Sequence, residues 1–289
     1  MIVDTHCHYN LEPLYNAQTP DSWQEHWHRA QSEGVGACMI VGTTIESSTV
    51  AIALAATTTN LTASVGIHPY RVAELLESGE VEWETYLKST LTQLTQLSRN
   101  QQVSAIGEIG LDYYRMPKSS SEHQAIRTAQ KQLVAKQLSL AKSQGLPVVL
   151  HVRDRLTPEE RVPDNAYWDM LSILEESAPL THPVILHCVS GPAAYVQAAL
   201  DLGCYIGVAA NCTYPSAMHI RKLIKQAPPD RILLETDAPY LPPQSNRGKI
   251  CEPWMISETA EYLEKELGVP NTTILANTKR VFPTLIPVE

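Results

Sequence analysis

The chain lacks any apolar run approaching the ~18 residues of a membrane span, so a spanning helix is not expected. It also lacks a Cys-x-x-Cys pair. Its six cysteines (Cys7, Cys38, Cys188, Cys204, Cys212, Cys251) are scattered, which suits free thiols in a reducing cytoplasm better than a disulfide framework or a thiolate zinc site. No basic region precedes an apolar stretch at the Met1-Ile2-Val3-Asp4 start, so no secretory signal is expected and the cytoplasm is the expected location. Positive charge is scarce: 22 Lys and Arg against 31 Asp and Glu give a net charge of −9. That balance argues against a broad basic surface for nucleic acid. No Gly/Ser linker, charge block or repeat divides residues 1–289, so one domain is expected. Its length suits an α/β barrel, for which ~250 residues is routine.

What is present is a series of short Val/Ile/Leu runs that end on metal-ligand residues. They are Val3-Asp4-Thr5-His6-Cys7-His8, Ile106-Gly107-Glu108-Ile109-Gly110, Val148-Val149-Leu150-His151, Val184-Ile185-Leu186-His187 and Leu233-Leu234-Glu235-Thr236-Asp237. Such runs read as strands buried on both faces, as in parallel sheets. Adding the apolar segments between them predicts eight strands, namely Ile2–His6, Cys38–Gly42, Thr62–Ile67, Ser104–Glu108, Val148–His151, Val184–His187, Tyr205–Val208 and Ile232–Glu235. Helical stretches fill the gaps: Asp21–Glu33 before Gly34, Ser121 to Gln144 opened by Ser119-Ser120-Ser121-Glu122, Pro192 to Leu202 before Gly203, and Pro253–Leu267 before Gly268. Eight such repeats predict a single (β/α)8 TIM barrel, whose chemistry sits at the C-terminal ends of the strands. The polar stretch Arg155–Asn165 is expected as a loop over that mouth.

The ligands gain weight together rather than singly. His6 and His8 flank Cys7 and so share one side of a strand, although a lone His-x-His is a weak motif. Glu108 is costly to bury unpaired. It is either the partner of a Lys or Arg, or a carboxylate bridging two cations, and its flanking glycines favour the bridge. His151 and His187 on consecutive strands suit a second cation better than two unrelated core histidines. Asp237, on the last strand, comes beside His6 and His8 once the barrel closes, and Glu235 is expected to play a supporting role. His68, in Gly66-Ile67-His68-Pro69, is expected at the mouth as a substrate contact or general acid. His26, His28, His123, His182 and His219 are expected away from the centre, His26 and His28 in solvent.

These segments, together with His151-Val152-Arg153-Asp154, His187-Cys188-Val189-Ser190-Gly191 and Glu235-Thr236-Asp237-Ala238-Pro239, resemble the TatD-type metal-dependent deoxyribonucleases, a family of amidohydrolase-like barrels. The resemblance runs from residue 4 to Asn277-Thr278-Lys279-Arg280. It implies that His6, His8, Glu108 and Asp237 hold one metal, and that Glu108, His151 and His187 hold the other. Asn10 and Cys251 depart from the family pattern, where an acidic residue and Asn are usual, and the Arg155–Asn165 loop is longer than usual. These departures bear on substrate preference and spare every expected ligand.

The expected reaction is hydrolysis of DNA phosphodiester bonds by metal-activated water, acting as an exonuclease on single-stranded ends. Two divalent ions are implied. Imidazole donors suit Zn or Mn, and the resemblance suggests Mg. Two such ions would also offset the acidic net charge where a phosphate binds. Glu108 and Asp237 are the expected catalytic carboxylates, with Asp237 deprotonating the water. His68 and Arg153 are expected to bind substrate, and Arg247 and Lys249 offer further positive charge. Two other readings compete. One keeps the barrel but cleaves another ester or amide, such as a D-aminoacyl-tRNA. The other, a non-catalytic binding protein, is disfavoured because all six ligands are present.

Overall fold

The computed structural model describes residues 1–79, 82–117 and 123–286. Eight strands form: β1 (Ile2–Cys7), β2 (Val35–Val41), β3 (Leu61–Val65), β4 (Val103–Asp112), β5 (Val148–Arg153), β6 (Val184–Leu186), β7 (Tyr205–Val208) and β8 (Ile232–Leu234). They lie side by side in chain order, each pair parallel. Closure comes just beyond β8, where Cys7 bridges Ala238. There the Asp237 N–H donates to the His6 carbonyl at 2.9 Å and the His8 N–H to the Ala238 carbonyl at 2.8 Å. The result is a (β/α)8 barrel.

The helices among the described residues are α1 (Ser22–Ser32), α2 (Ile45–Ala55), α3 (Tyr70–Ser78), α4 (Trp83–Leu97), α5 (His123–Gln144), α6 (Ala166–Glu176), α7 (Ala193–Asp201), α8 (Met218–Gln226), α9 (Ile256–Leu267) and α10 (Asn271–Val281). The Ser119–Glu122 capping cluster expected before α5 lies outside the described residues. None of the described helices is long and apolar enough to cross a membrane.

Two apolar cores divide the strand residues by parity. Val3, Ala37, Met39, Val41, Ala105, Val149, Ile185 and Leu233 fill the barrel, with Phe282, Leu285 and Ile286 from the C-terminal segment packed on them. Cys38, Ile40, Ile106, Ile109, Leu150, Leu186 and Leu234 face outward into the layer beneath the helices. Burial on both sides is why these runs are continuously apolar.

Strand β4 corrects one expectation. It does not stop at Glu108 but runs on to Asp112, pairing with β5 as far as Arg153. The Arg155–Asn165 segment is a tethered loop. Asp154 accepts the Ala166 N–H at 2.7 Å, and Glu159 accepts the N–H groups of Ala193 and Ala194, at the start of α7, at 3.2 and 3.1 Å.

Candidate metal centre

Strand alternation alone would turn three of the ligands the wrong way. Val3 points into the barrel, so strict alternation would send Thr5 and Cys7 inward and both His6 and His8 outward. Between the pairs Asp4–Cys38 and Cys7–Ile40, however, β1 advances three residues while β2 advances two. This bulge puts Cys7 in the outer layer and turns His6 and His8 to the inside. The same device recurs on β4, where Ile106 pairs with Val148 and Ile109 with Leu150. Ile106 and Ile109 both face outward, and Glu108 between them is re-aimed inward. Bulges beside functional sites commonly re-aim a side chain in this way. On β5 and β6 no bulge is needed, because Val149 and Ile185 point inward and so do His151 and His187 two residues later.

The close approach of β4 to β5 depends on glycine. Gly110 has φ +146°, and a Cβ there would overlap the His151 carbonyl oxygen.

Glu108 stands among five imidazoles. Its Oε1 lies 2.8 Å from His151 Nδ1, 3.4 Å from His68 Nε2 and 3.8 Å from His187 Nε2. Its Oε2 lies 3.5 Å from His6 Nε2 and 3.8 Å from His8 Nε2. Asp237 Oδ1 completes the cluster, 3.4 Å from His8 Nε2 and 3.7 Å from the Nε2 atoms of His6 and His187. Donor atoms converge in three overlapping groups: His6, His8 and Asp237; His6, Glu108 and His187; and His68, Glu108 and His151. All six expected ligands thus meet at one site. Within it His187 also stacks on His6 with ring centroids 3.6 Å apart, and His151 packs edge-on against His68 at 4.2 Å.

The family model described as TatD related DNase matches residues 3–286. The chain belongs to that family. It is 29% identical over 288 residues to the uncharacterized metal-dependent hydrolase YabD of Bacillus subtilis, covering 98% of this chain and 99% of that protein. It is 31% identical over 217 residues to the 3′-5′ ssDNA/RNA exonuclease TatD of Klebsiella pneumoniae, covering 75% and 72% of the two chains. Among solved structures, the TatD homolog YjjV of Escherichia coli superposes with a TM-score of 0.78 at 28% identity, covering 100% of this chain and 98% of that one. The protein is therefore a metal-dependent hydrolase on a TatD-type barrel.

The donor set of this TatD-family chain suits divalent cations. Among the described residues, the ion-pair partners of Glu108 and Asp237 are all histidines, with no Lys or Arg to neutralise them. His6 Nε2 and His8 Nε2 face each other at 3.2 Å, and His6 Nδ1 is buried without a hydrogen-bond partner. His8 Nδ1 lies 3.0 Å from the Val41 carbonyl, which fixes the proton on that nitrogen and frees Nε2 for a cation. Asn10 supports the arrangement by donating to the same carbonyl at 2.9 Å and to that of Ser47 at 2.9 Å, bonds that an acidic residue could not make. Cys251, the other departure, is fully buried, with its N–H on the Pro239 carbonyl.

Charge follows the same geometry. Burial works to raise the Glu108 carboxyl, but the neighbouring His68 and contacts from His151 and His6 outweigh it and hold it well below the usual carboxylate range. Asp237 is likewise lowered, its burial outweighed by His187 and His8. Burial opposes charge on His187, yet Glu235 and Asp237 raise that imidazole to about 10. His8 and His151 are raised against burial by Asp237 in one case and by Asp112 and Glu108 in the other. His68 goes the other way: burial, and then His151, bring it down to about 4. Its Nδ1 accepts the Tyr70 N–H at 3.1 Å, so the neutral ring carries its proton on Nε2, toward Glu108. That makes His68 a donor at the site rather than a lone-pair ligand.

Two supporting carboxylates complete the centre. Glu235 Oε1 lies 2.9 Å from His187 Nδ1, leaving Nε2 to the cluster, and this is the supporting role expected of it. Asp112 was missed by sequence reasoning. Its Oδ2 lies 3.3 Å from His151 Nε2, while its Oδ1 accepts the N–H groups of Tyr114 and Arg115. A signal was present in Gly110-Leu111-Asp112, a second acid continuing the Glu108 strand. Arg153, two residues after His151 on β5, lies with its guanidinium 4.1 Å from the Tyr114 ring centre. Arg247 stacks on Tyr214 at 3.9 Å. His26 is not free in solvent as expected, because α1 holds it 3.1 Å from Glu252.

Proposed function

We propose that this TatD-family hydrolase cleaves phosphodiester bonds at single-stranded nucleic acid ends, with DNA as the first substrate. The observation that carries the reading is Glu108, whose two oxygens face different imidazoles. A carboxylate so placed can serve two cations at once. His6, His8, Glu108 and Asp237 would hold one, and Glu108, His151 and His187 the other, as Mg, Mn or Zn. Such ions, when bound, would supply a polarised water and positive charge against the phosphate.

The residues of the chain do the rest. Asp237 is the more accessible of the two cluster carboxylates, with its side chain 14% exposed against 5% for Glu108, so it is the one placed to take a proton from water. His68 offers its Nε2 proton to a phosphate oxygen, and Arg153 binds the next phosphate. The relatives named as single-strand exonucleases support the substrate class. Six free thiols support a cytoplasmic setting. The reading takes the chain as one hydrolase domain.

The test is a substrate panel with Mg, Mn and Zn: 3′-tailed DNA, RNA, aminoacyl-tRNA and small esters. Release of mononucleotides from DNA or RNA is expected. Release of amino acid from aminoacyl-tRNA, with oligonucleotides left intact, would replace this reading by ester cleavage at the same centre.

A further inference from the structure

We infer that Tyr114, with Arg153 and Arg155, is the stacking platform for one unpaired nucleobase beside the metal cluster. The inference rests on the nuclease reading above and names the feature that selects its substrate. Tyr114 lies two residues beyond the end of β4 and is 45% exposed, whereas its neighbour Tyr113 is buried. The ring is exposed but its backbone is pinned. Asp112 Oδ1 accepts the Tyr114 N–H at 2.9 Å, and Arg155 Nε–H donates to the Tyr114 carbonyl at 3.2 Å. The Arg153 guanidinium lies 4.1 Å from the ring centre and that of Arg155 5.9 Å. A platform fixed before binding avoids much of the ordering cost that a mobile side chain would incur.

Among the described residues, two of the three arginines next to Tyr114 have no acidic partner; only Arg115 has a carboxylate within ion-pair reach, Asp112 at 3.9 Å. In a chain of net charge −9, Arg115, Arg153 and Arg155 therefore make a local cationic patch around an exposed aromatic face. That pairing is the chemistry of single-strand recognition, in which a base stacks on the ring while guanidinium groups take the adjoining phosphates. A base inside a duplex keeps its faces against its neighbours and cannot use such a platform.

The position ties the platform to the chemistry. The carboxylate that holds the Tyr114 N–H reaches His151 Nε2 with its other oxygen, at 3.3 Å. Arg153 lies two residues beyond His151 on β5 and so on the same side of the strand. A strand whose phosphate reaches the cluster thus passes Tyr114 with a neighbouring base. DNA and RNA present the same unpaired face, so the platform accepts either.

A two-way cycle tests this. Tetranucleotides, intact or with one base replaced by an abasic residue at each position in turn, are assayed on the metal-loaded enzyme and on Tyr114→Ala and Tyr114→Trp. Loss of one particular base is expected to raise KM roughly tenfold for the wild type, in line with one stacked base. Tyr114→Ala is expected to raise KM equally on the intact substrate and to be indifferent to that base. Tyr114→Trp should keep the sensitivity, which separates lost stacking from lost folding. Running deoxy and ribo series separately identifies the nucleic acid. If no oligonucleotide is cleaved, the nuclease reading fails by itself, and fluorescence anisotropy with labelled oligonucleotides runs the same cycle on Kd. Additive effects of the two changes, or a wild type indifferent to every base, would overturn the platform.

Discussion

Glu108 Oε1 lies 2.8 Å from His151 Nδ1, joining a bulge on β4 to the unbulged strand beside it. The contact makes Glu108 the hub of the centre, since its other oxygen turns to His6 and His8. A hub and a terminal ligand should fail differently. Glu108→Ala is expected to empty both metal positions, whereas His187→Ala weakens chiefly one. Metal content per chain of the two purified variants checks this, and equal loss in both would contradict the bridge.

Asp237 should matter beyond its share of metal binding. Asp237→Asn keeps the size and one oxygen donor but removes the basicity. At saturating Mn or Mg it is expected to retain metal and lose ~10²–10⁴-fold in kcat, the usual contribution of a general base. Full recovery with excess metal would reduce Asp237 to a ligand.

Metal uptake should release protons. His187, raised to about 10, and the raised His8 and His151 must give up their protons to become ligands. Binding is therefore expected to strengthen as pH rises and weaken as it falls. Calorimetry in buffers of different ionisation enthalpy reads the proton count directly, and no release at neutral pH would contradict it. The metal-free fold responds in the opposite sense. Its folded His187 value lies above the unfolded ~6.5, so that stabilisation is complete below ~6.5 and lost as pH rises through about 10. Melting of the chelated protein across this range tests the sign.

Glu235→Gln should act through His187. It removes the charge 2.9 Å from Nδ1 that orients the ring and makes Nε2 a better donor. Metal affinity is expected to fall ~10–100-fold, with far-UV circular dichroism unchanged. An unchanged affinity would leave Glu235 as packing alone.

Gly110→Ala should destabilise the barrel by more than about 1 kcal/mol, because φ is +146° and the new Cβ would meet the His151 carbonyl. Gly34→Ala is the comparison, at φ +90° with nothing within 4 Å of the added carbon. Denaturant midpoints of the two variants separate overlap from backbone strain, and equal losses would rule out the overlap.

The strands were legible because most of their residues are buried on both faces and so read as short, largely apolar runs. The ligand types were legible because His, Glu and Asp interrupt those runs at their ends. Closure followed from the count of eight, which brings Asp237 beside His6. The direction of the side chains was not legible on β1 and β4. Whether His6, His8 and Glu108 face the barrel or the helices depends on one extra residue between Asp4 and Cys7 and another between Ile106 and Ile109. Such a bulge exists only against a partner strand that advances two residues where its neighbour advances three, so pairing decides it rather than local composition. The tautomers of His8 and His68 were hidden for the same reason. The Val41 carbonyl, 33 positions from His8, and the Tyr70 N–H in a turn of fixed geometry set them, and those partners exist only in the folded chain.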